Sequence, residues 1–457
     1  MKLPMLDRGA TRRGVLTASG VGAAGLLAAA CSSGASDTST KAKGPVTIEI
    51  LTRNGVTAPD GHSQFFDKRA KQIFTPQTNI TVNFLDAQPD VAEKLTVMAT
   101  GGTLPDGSWF GVVADGNAGR EQAGKGIFKP LDDLIKKDTK FDIKPYFKSM
   151  IDAFTVTGKL YALPIHGHYG TNVLYYNKNL TDAAGVKVPD DGNWTHDDML
   201  EAAKKITKKD QDIWGYWPDW GFAEFGTFWV RQFGGEFLDE AGKKVLVDSP
   251  EARTAYEWIY GTQTKAQTIN NLYRVVEGAP LGQGGTRGLM GLGKLGMFQT
   301  TPGLVASYRN PAQQEIKFPL GIALFPKAPN GKRGTQASGS GMGLTKMDKV
   351  DSVWQWLKFV SDKDNGVGQV FGGAGSPGGR TDVWNDAKLL KERDPIYQNI
   401  VKAFPNGAGT LRTAANNRYP AVVKAVNDEL ANYFKGNTSV QDASTKAAQA
   451  ANAELAK

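Results

Sequence analysis

The first folded stretch of the chain alternates apolar and polar residues. Val46, Ile48 and Ile50 are separated by Thr47 and Glu49, and this period of two predicts a half-buried strand. The same criteria predict two further strands and two helices, at 63–74 (helix), 80–84 (strand), 90–99 (helix) and 108–113 (strand). Because strands alternate with helices, the pattern predicts an α/β fold with a largely parallel sheet.

Two aspartate pairs occur where helices are predicted to begin. Thr195 is a suitable N-cap, and Asp198, three residues later, completes a capping box in which its carboxylate reaches back to free backbone amides. The pair Asp132-Asp133 has the same explanation. We therefore interpret both Asp132-Asp133 and Asp197-Asp198 as helix starts and not as catalytic dyads.

The amino terminus has the pattern of a targeting segment. Arg12 and Arg13 precede an apolar run, 15–30, that is shorter than the ~20 apolar residues needed by a membrane-spanning helix. Residues 1–30 are therefore predicted to form a removable signal peptide, and the arginine pair resembles a twin-arginine export signal.

Cys31, directly after this run, is the one cysteine in the sequence. A lone cysteine in an exported chain cannot form an internal disulfide, so it needs another explanation. Its context resembles the bacterial lipobox, with Leu27 one place further from the cysteine than is usual. We predict that Cys31 carries a lipid anchor and that 31–44 is a flexible tether. The alternative is an ordinary cleaved signal with an incidental cysteine.

The net charge does not indicate nucleic-acid binding. The chain of 457 residues has a formal charge of +8, of which +3 lies in the first 30 residues, and the remainder has no dense Lys/Arg block. Hydrophobic residues make up 40% and charged residues 22%, which is typical of a soluble globular protein. Such a diffuse charge favours a protein beside anionic lipid or wall polymer over one that binds nucleic acid.

A series of short motifs runs in order through nearly the whole mature chain. They are Pro105-Asp106, 129–133 (KPLDD), 158–164 (GKLYALP), 174–180 (LYYNKNL), 184–186 (AGV), Pro189, Trp194, 201–207 (EAAKKIT), 234–236 (GGE), 248–252 (DSPEA) and 293–297 (GKLGM). The ordered series resembles the extracellular solute-binding proteins (family 1) of ATP-binding-cassette (ABC) importers, specifically their maltose-binding-protein-like carbohydrate branch.

This resemblance implies a two-lobed, periplasmic-binding-protein-like α/β fold of type II, with a ligand cleft between lobes joined by a multi-segment hinge. One lobe is expected to take 45–165 and about 322–362, and the other 166–321 and about 363–457. The resemblance also implies a monomer at the outer face of the membrane that binds a carbohydrate and delivers it to ABC transporter permease subunits, with no catalysis and no cofactor. Ligand closes such a cleft because it binds the closed form more tightly.

Aromatic residues concentrate in one stretch that is interrupted by glycine and proline. Four of the ten tryptophans lie within 214–229. Because sugars present apolar C–H faces, flat aromatic rings are expected in a carbohydrate site. Trp217 and Trp220 are predicted to lie on a loop, with at least one of them stacked on ligand. The alternative is that these rings fill the core, and we assign Trp229 to the core.

The resemblance implies further ligand-binding residues at positions that match the cleft of the family. They follow the first or third predicted strand or the 163–164 crossover, or they lie nearer the C-terminus: Arg53, Asn54, Asp115, Asn117, His166, His168, Tyr169, Thr301, Gly303 and Arg418. Glu224 is a further candidate, as a polar side chain within the aromatic stretch. Leu304 and Arg418 stand where relatives carry aromatic residues, which argues against simple maltose as the ligand.

Two motifs that could indicate other chemistry have simpler explanations. His166 and His168 can share a face of an extended strand, but a zinc site needs three or four ligands. His62 and His196 are predicted to lie elsewhere, so we expect no metal. The run 339–343 (GSGMG) lacks the spacing of a nucleotide-binding loop and is interpreted as flexible backbone or as close approach near the cleft.

The alternative from another functional class is a secreted carbohydrate-active enzyme. A glycosidase needs two carboxylates about 5 to 9.5 Å apart. Asp219 and Glu224 are candidates, but no nucleophile or general-acid motif surrounds them. A third alternative, a wall-attached adhesion module, fits the tether but does not explain a two-lobed α/β chain.

Overall fold

A computed structural model of the chain describes residues 44–53, 55–56, 62–87, 90–112, 118–168, 172–220, 226–273, 286–302, 316–335, 338–372, 377–392, 396–403 and 418–457. Among the helices in these ranges, none combines the length and the apolar character that crossing a bilayer requires.

The described residues contain eleven strands. Numbered in chain order, they are β1 (Val46–Thr52), β2 (Ile80–Asp86), β3 (Gly107–Val112), β4 (Thr155–Val156), β5 (Lys159–Leu160), β6 (Ala162–His168), β7 (Val173–Asn177), β8 (Trp214–Trp217), β9 (Leu295–Thr300), β10 (Leu320–Leu324) and β11 (Ser338–Leu344).

Helices surround these strands. They are α1 (His62–Arg69), which continues as a π-helical turn (Ala70–Phe74) into α2 (Thr75–Thr78), then α3 (Val91–Thr100), α4 (Ala118–Gly124), α5 (Asp132–Lys137), α6 (Lys148–Ala153), α7 (Lys178–Ala183), α8 (His196–Ile206), a 3-10 turn (Lys209–Gln211), α9 (Gly226–Gln232), α10 (Pro250–Thr264), α11 (Thr286–Gly291), α12 (Val350–Val360), α13 (Lys363–Phe371), α14 (Thr381–Trp384), α15 (Ala387–Glu392), α16 (Ile396–Ala403), α17 (Tyr419–Phe434) and α18 (Val440–Leu455).

Two separate sheets define a two-lobed α/β fold. Within the described residues, one sheet has the order β2-β1-β3-β11-β6 and the other the order β10-β7-β9-β8. In the first sheet, β1 is parallel to β2 and β3, whereas β11 is antiparallel to β3 and β6. In the second sheet only β8 and β9 are parallel. The predicted α/β class is confirmed, but the prediction of a largely parallel sheet is wrong because β11 and β7 enter their sheets in the opposite direction.

The local predictions near the amino terminus of the fold agree with the observed elements. The predicted strands and helices correspond to β1, α1 with its π-helical turn, β2, α3 and β3. Thr195 caps α8 through a complete capping box with Asp198, as predicted. Asp132 and Asp133 lie in the first turn of α5, where carboxylates interact favourably with the helix dipole.

The chain passes between the two sheets at positions that differ from the predicted boundaries. The first crossover joins β6 to β7, and the second joins β10 to β11. Ile322 was expected to begin the return to the first lobe, but it pairs with Tyr175 in the second sheet. The segment after 362 was expected in the second lobe, yet Gln369 donates a hydrogen bond to the carbonyl of Ile165 and Thr381 donates to that of Pro145. Long-range pairing, which local sequence patterns do not report, sets these boundaries.

The glycines of β11 allow the close packing of the first sheet. A Cβ added at Gly341 would lie 2.8 Å from the carbonyl oxygen of Leu163, and one at Gly343 would lie 2.6 Å from that of Tyr161. Both distances are shorter than van der Waals contact. The run 339–343 is therefore a strand in close contact with β6, so of the two interpretations offered for it, close approach is the one observed.

Gly215 in β8 is expected to be essential for the packing of α8 on the second sheet. Its added Cβ would overlap the carbonyl oxygen and carbon of Ala203, far closer than van der Waals contact allows. We expect Gly215→Ala to lower the free energy of unfolding by about 1–3 kcal/mol, because such overpacking forces backbone shifts. Urea unfolding measures this change.

Gly261→Ala is the matched control for Gly215→Ala. Gly261 lies within α10, and its added Cβ would meet only the Lys265 side chain, at 4.0 Å. Alanine is the better helix former by about 1 kcal/mol, so this variant should be neutral or more stable. Equal destabilisation by both substitutions would contradict the packing argument.

Candidate functional site

The ends of five strands define one edge of the first sheet. Thr52 pairs with Asp86, so β1 and β2 end together. The last residue of β3, Val112, pairs with Gly339 at the start of β11, and Ser338 pairs with His168 at the end of β6. Ligands of open α/β sheets bind outside the carboxyl ends of the strands. We name this edge, from Thr52 to His168, the first ligand edge.

Several predicted site residues lie at the first ligand edge. Arg53 follows β1 and is exposed, and the half-buried His166 is in β6. The backbone of His168 ends β6, but its side chain lies outside the described residues, as do Asn54, Asp115, Asn117 and Tyr169.

His62 also lies at this edge, so the prediction that it lies away from His166 is wrong. Its ring centroid lies 4.3 Å from that of His166 and 6.0 Å from that of Trp109. His62 is at the start of α1, the helix that follows β1. A helix that follows a parallel strand begins at the carboxyl edge of the sheet, and this rule could have predicted the position of His62.

Both imidazoles at this edge are uncharged at neutral pH. Burial, with a smaller contribution from the Arg53 cation, lowers the pKa of His62 to about 4. Burial also lowers the pKa of His166 well below its usual range, and His62 and Arg53 add to this effect. A neutral imidazole has one donor and one acceptor nitrogen, which suits it to hydroxyl groups. In the part of the chain that the structure describes, no cluster of three or more His, Cys, Asp or Glu side chains could hold a metal ion.

The end of β6 is held by residues from the helical segment that follows α12. A β-bulge at Ile165 shifts the register between β6 and β11. Gln369, which is fully buried in α13, donates from Nε2 to the Ile165 carbonyl at 2.7 Å. The backbone amide of Gly378 donates to the carbonyl of Gly167 at 3.2 Å. These contacts satisfy the main-chain carbonyls on either side of His166, where the bulge and the sheet edge interrupt the ladder.

The second sheet has a corresponding edge, where β8 and β9 end, β7 begins and β10 ends. Trp217 pairs with Phe298, and Val173 pairs with both Thr300 and Leu324. We name this edge, from Trp217 to Leu324, the second ligand edge. The crossover from β6 to β7 and the crossover from β10 to β11 both join the first ligand edge to the second.

Two residues predicted to contact ligand are buried at the second ligand edge. Trp217 belongs to β8 and is only 3% exposed, so the prediction that it lies on a loop is wrong. Its pairing with Phe298 extends the strand through this residue. Thr301 is also buried, and its carbonyl accepts a hydrogen bond of 3.1 Å from the Tyr175 hydroxyl. Gly303 and Glu224 lie outside the described residues.

Trp220 lies in the loop after β8, as predicted, and remains half-buried. Its ring is 4.6 Å from that of Phe434 and 5.3 Å from that of Tyr273, measured between centroids. The rings of Phe434 and Tyr273 thus pack against one part of the Trp220 indole. Trp229, in contrast, is fully buried, and its assignment to the core is confirmed.

Arg418 is held by the C-terminal helix. It precedes α17, and its Nη2 lies 2.6 Å from Oε2 of Glu454 in α18. Hydrogen bonds from Lys457 and Arg418 lower the pKa of the Glu454 carboxyl group. The ion pair gives this predicted ligand-binding residue a structural role in joining the two last helices.

Known proteins share this fold and this sequence pattern. A putative binding protein of Brucella abortus is 26% identical over 331 residues, 70% of this chain and 73% of its own. The arabinooligosaccharide-binding protein of Bacillus subtilis is 25% identical over 404 residues, 84% and 83% of the two chains. The structure of an ABC substrate-binding protein from Listeria monocytogenes in complex with cycloalternan has a TM-score of 0.74 at 21% identity, covering 90% of this chain and 99% of that one.

The match to a family of binding proteins covers most of the chain. Residues 60–367 match the model of the bacterial extracellular solute-binding proteins. This range contains strands β2 to β11, both crossovers, the second ligand edge and all of the first except the end of β1. The two-lobed fold is the one seen in the Listeria protein. The predicted resemblance is confirmed: this chain belongs to the bacterial extracellular solute-binding protein family.

Proposed function

We propose that this protein binds a mono- or oligosaccharide outside the membrane and delivers it to the permease subunits of an ABC transporter. The observation that carries the proposal is the pair of connected ligand edges. One has Arg53 and two neutral histidines, and the other has the supported ring of Trp220.

The chemistry of these edges suits a polyhydroxylated ligand. The indole of Trp220 can pack on the C–H face of a sugar ring, while Arg53, His62 and His166 supply hydrogen-bonding groups for its hydroxyls. The saccharide names and ligands of the similar proteins support this assignment.

The remaining cleft residues are part of the same proposal. The site is proposed to be completed by residues that end, follow or precede an element at a ligand edge. These are Asn54, Asp115, Asn117, His168, Tyr169, Glu224 and Gly303. The first lobe is proposed to combine residues 45–168 with 338–384, and the second 172–335 with 396–457. Closure of the two lobes around a saccharide would follow from tighter binding to the closed form.

The amino-terminal segment supplies the location in this proposal. The twin-arginine signal over 1–30 directs export. Lipid on Cys31 then retains the monomer at the outer face of the cell membrane through the 31–44 tether. The family description as extracellular supports the export step.

A thermal-shift panel tests the proposed function. Glucose, maltotriose, arabinotriose and cycloalternan are compared with glutamate as a non-saccharide control. A ligand at a thousandfold excess over its Kd stabilises the native state by about 4 kcal/mol, so one saccharide should raise the Tm by several degrees. A shift with glutamate and none with any saccharide would contradict the proposal. Release of a product over multiple turnovers would favour the enzymatic alternative.

A further inference from the structure

One backbone carbonyl of the loop after β8 is hydrogen-bonded to two side chains of the core. The carbonyl oxygen of Asp219 accepts a hydrogen bond of 2.6 Å from Nε2 of Gln299 and another of 2.6 Å from the indole Nε1 of Trp229. Both donors are fully buried. Two donors fill both lone-pair positions of the carbonyl, so its direction is defined. The next residue along the loop is Trp220.

The Gln299 side chain can donate in only one orientation. Its Oε1 accepts a hydrogen bond of 2.8 Å from the hydroxyl of Tyr216 in β8. Burial raises the pKa of Tyr216 well above its usual range, and the nearby Asp219 charge adds to this effect, so the hydroxyl keeps its proton and remains a donor. Rotating the amide would place its oxygen against the Asp219 carbonyl. Tyr216 thereby directs the Gln299 amide toward the loop.

The Trp229 indole, like the Gln299 amide, is fixed by its neighbours. Its ring packs 5.1 Å from that of Trp258 and 5.7 Å from that of Phe325, between centroids. Three residues further along α9, Gln232 donates a hydrogen bond of 2.8 Å to the carbonyl of Pro326. Both donors to Asp219 therefore come from rigid elements, β9 and α9.

We propose that Trp229 and Gln299 are positioning residues that set the orientation of the Pro218–Trp220 loop and, through it, of the Trp220 ring. The inference rests on the proposed function, because Trp220 is the platform for the saccharide there. Holding the loop in one conformation before binding removes the entropy loss of ordering it on binding. Because Trp229 is fully buried, its role is to act through the loop backbone and not by contact with the saccharide.

The test compares two tryptophans of the same aromatic cluster. Trp229→Phe keeps a ring in the core but removes the N–H that bonds to Asp219. Trp258→Phe is the matched control, because it keeps a ring beside Trp229 and because the Nε1 of Trp258 has no hydrogen-bond partner among the described residues. Hydrogen exchange followed by mass spectrometry, without any saccharide, reports on the 214–220 peptide. Loss of one neutral hydrogen bond should raise exchange of the Asp219 and Trp220 amides roughly 2- to 12-fold in Trp229→Phe and leave it unchanged in Trp258→Phe.

A binding measurement extends the same comparison. With whichever of glucose, maltotriose, arabinotriose and cycloalternan gives the largest thermal shift, Kd should rise about fivefold in Trp229→Phe and stay constant in Trp258→Phe. Gln299→Met removes the second donor and serves as an independent variant if Trp229→Phe does not fold.

The outcomes separate the two proposals. Equal exchange in the Trp229 and Trp258 variants would overturn the positioning role even if a saccharide binds. Faster exchange in Trp229→Phe, with no saccharide bound by any form of the protein, would keep the positioning role and overturn the proposed function. Faster exchange with an unchanged Kd would show that the loop orientation does not serve binding, and would overturn the inference.

Discussion

Lowering the pH from 7 to 4.5 should reduce the free energy of unfolding by about 3 kcal/mol through His196 alone. This side chain is fully buried in the second lobe, and burial lowers its pKa to about 3. Between pH 6.5 and 3 the unfolded chain binds a proton at this histidine and the folded chain does not. The free energy of unfolding therefore falls as the pH falls, by about 1.4 kcal/mol per pH unit below 6.5.

The surroundings of His196 explain why it stays neutral. The amide of Gln232 accepts a hydrogen bond from the backbone N–H of Gly334, which leaves its Nε2 to donate to the carbonyl of Pro326 and to Nε2 of His196, 2.9 Å away. His196 Nε2 is then an acceptor, and its proton is on Nδ1. A second proton on Nε2 would face the amide N–H of Gln232, with the Trp258 ring only 4.4 Å away.

Urea unfolding at pH 7, 5.5 and 4.5 measures this dependence. His62, whose pKa is lowered to about 4, contributes in the same direction. Carboxyl groups with lowered pKa values, such as Asp138 and Asp386, titrate below this range and contribute little to it. The control is His196→Phe, which cannot bind a proton at this position in either state. Whatever its absolute stability, its free energy of unfolding should fall less steeply with falling pH, by about 1.4 kcal/mol per pH unit below 6.5. An identical pH dependence in both proteins would rule out His196 as the source.

Replacing Trp220 by alanine should weaken saccharide binding by about 30-fold, or about 2 kcal/mol, as expected for a central aromatic contact. The ring is half-buried on Phe434 and Tyr273, so part of it remains available to a ligand. Alanine removes the whole platform, whereas Trp220→Phe retains a smaller ring and should weaken binding less. Isothermal titration calorimetry with the saccharide found in the thermal-shift panel provides both Kd values.

The stability of the Trp220 variants must be measured alongside their affinity. The indole also packs on two rings of the second lobe, so Trp220→Ala is expected to lower the Tm. Titrations well below that Tm keep the protein folded and isolate the effect on binding. A destabilised variant that binds the saccharide with unchanged Kd would assign Trp220 to the core, together with Trp229.

The predictions for His196 and Trp220 concern two parts of one hydrogen-bond network that includes helix α9. Helix α9 carries Trp229, which bonds to the ligand-edge loop, and Gln232, which bonds to the segment leading into the second crossover. Arg231 of the same helix donates to the carbonyl of Thr335 in that segment, at 2.9 Å. The loop that presents Trp220 and the chain returning to the first lobe are thus attached to the same helix.

Features that depend on neighbouring residues were determined by the sequence itself. The alternation in β1, the capping box of Thr195 and Asp198 and the core position of Trp229 follow from short-range patterns. Family membership followed from ordered motifs along the chain. In the local features and within each motif, the residues that carry the signal lie within a few positions of one another.

Features that depend on distant partners were decided only by the tertiary structure. Trp217 and Trp220 look alike in the sequence, yet β8 includes the first because it pairs with Phe298, and the loop carries the second. His62 lies beside His166 because α1 begins where β6 ends, across β3 and β11. The direction of β11 and the sheet that contains β10 are likewise set by hydrogen bonds to strands far along the chain. Local periodicity encodes which face of an element is buried, but strand pairing and side-chain contact depend on which elements pack together.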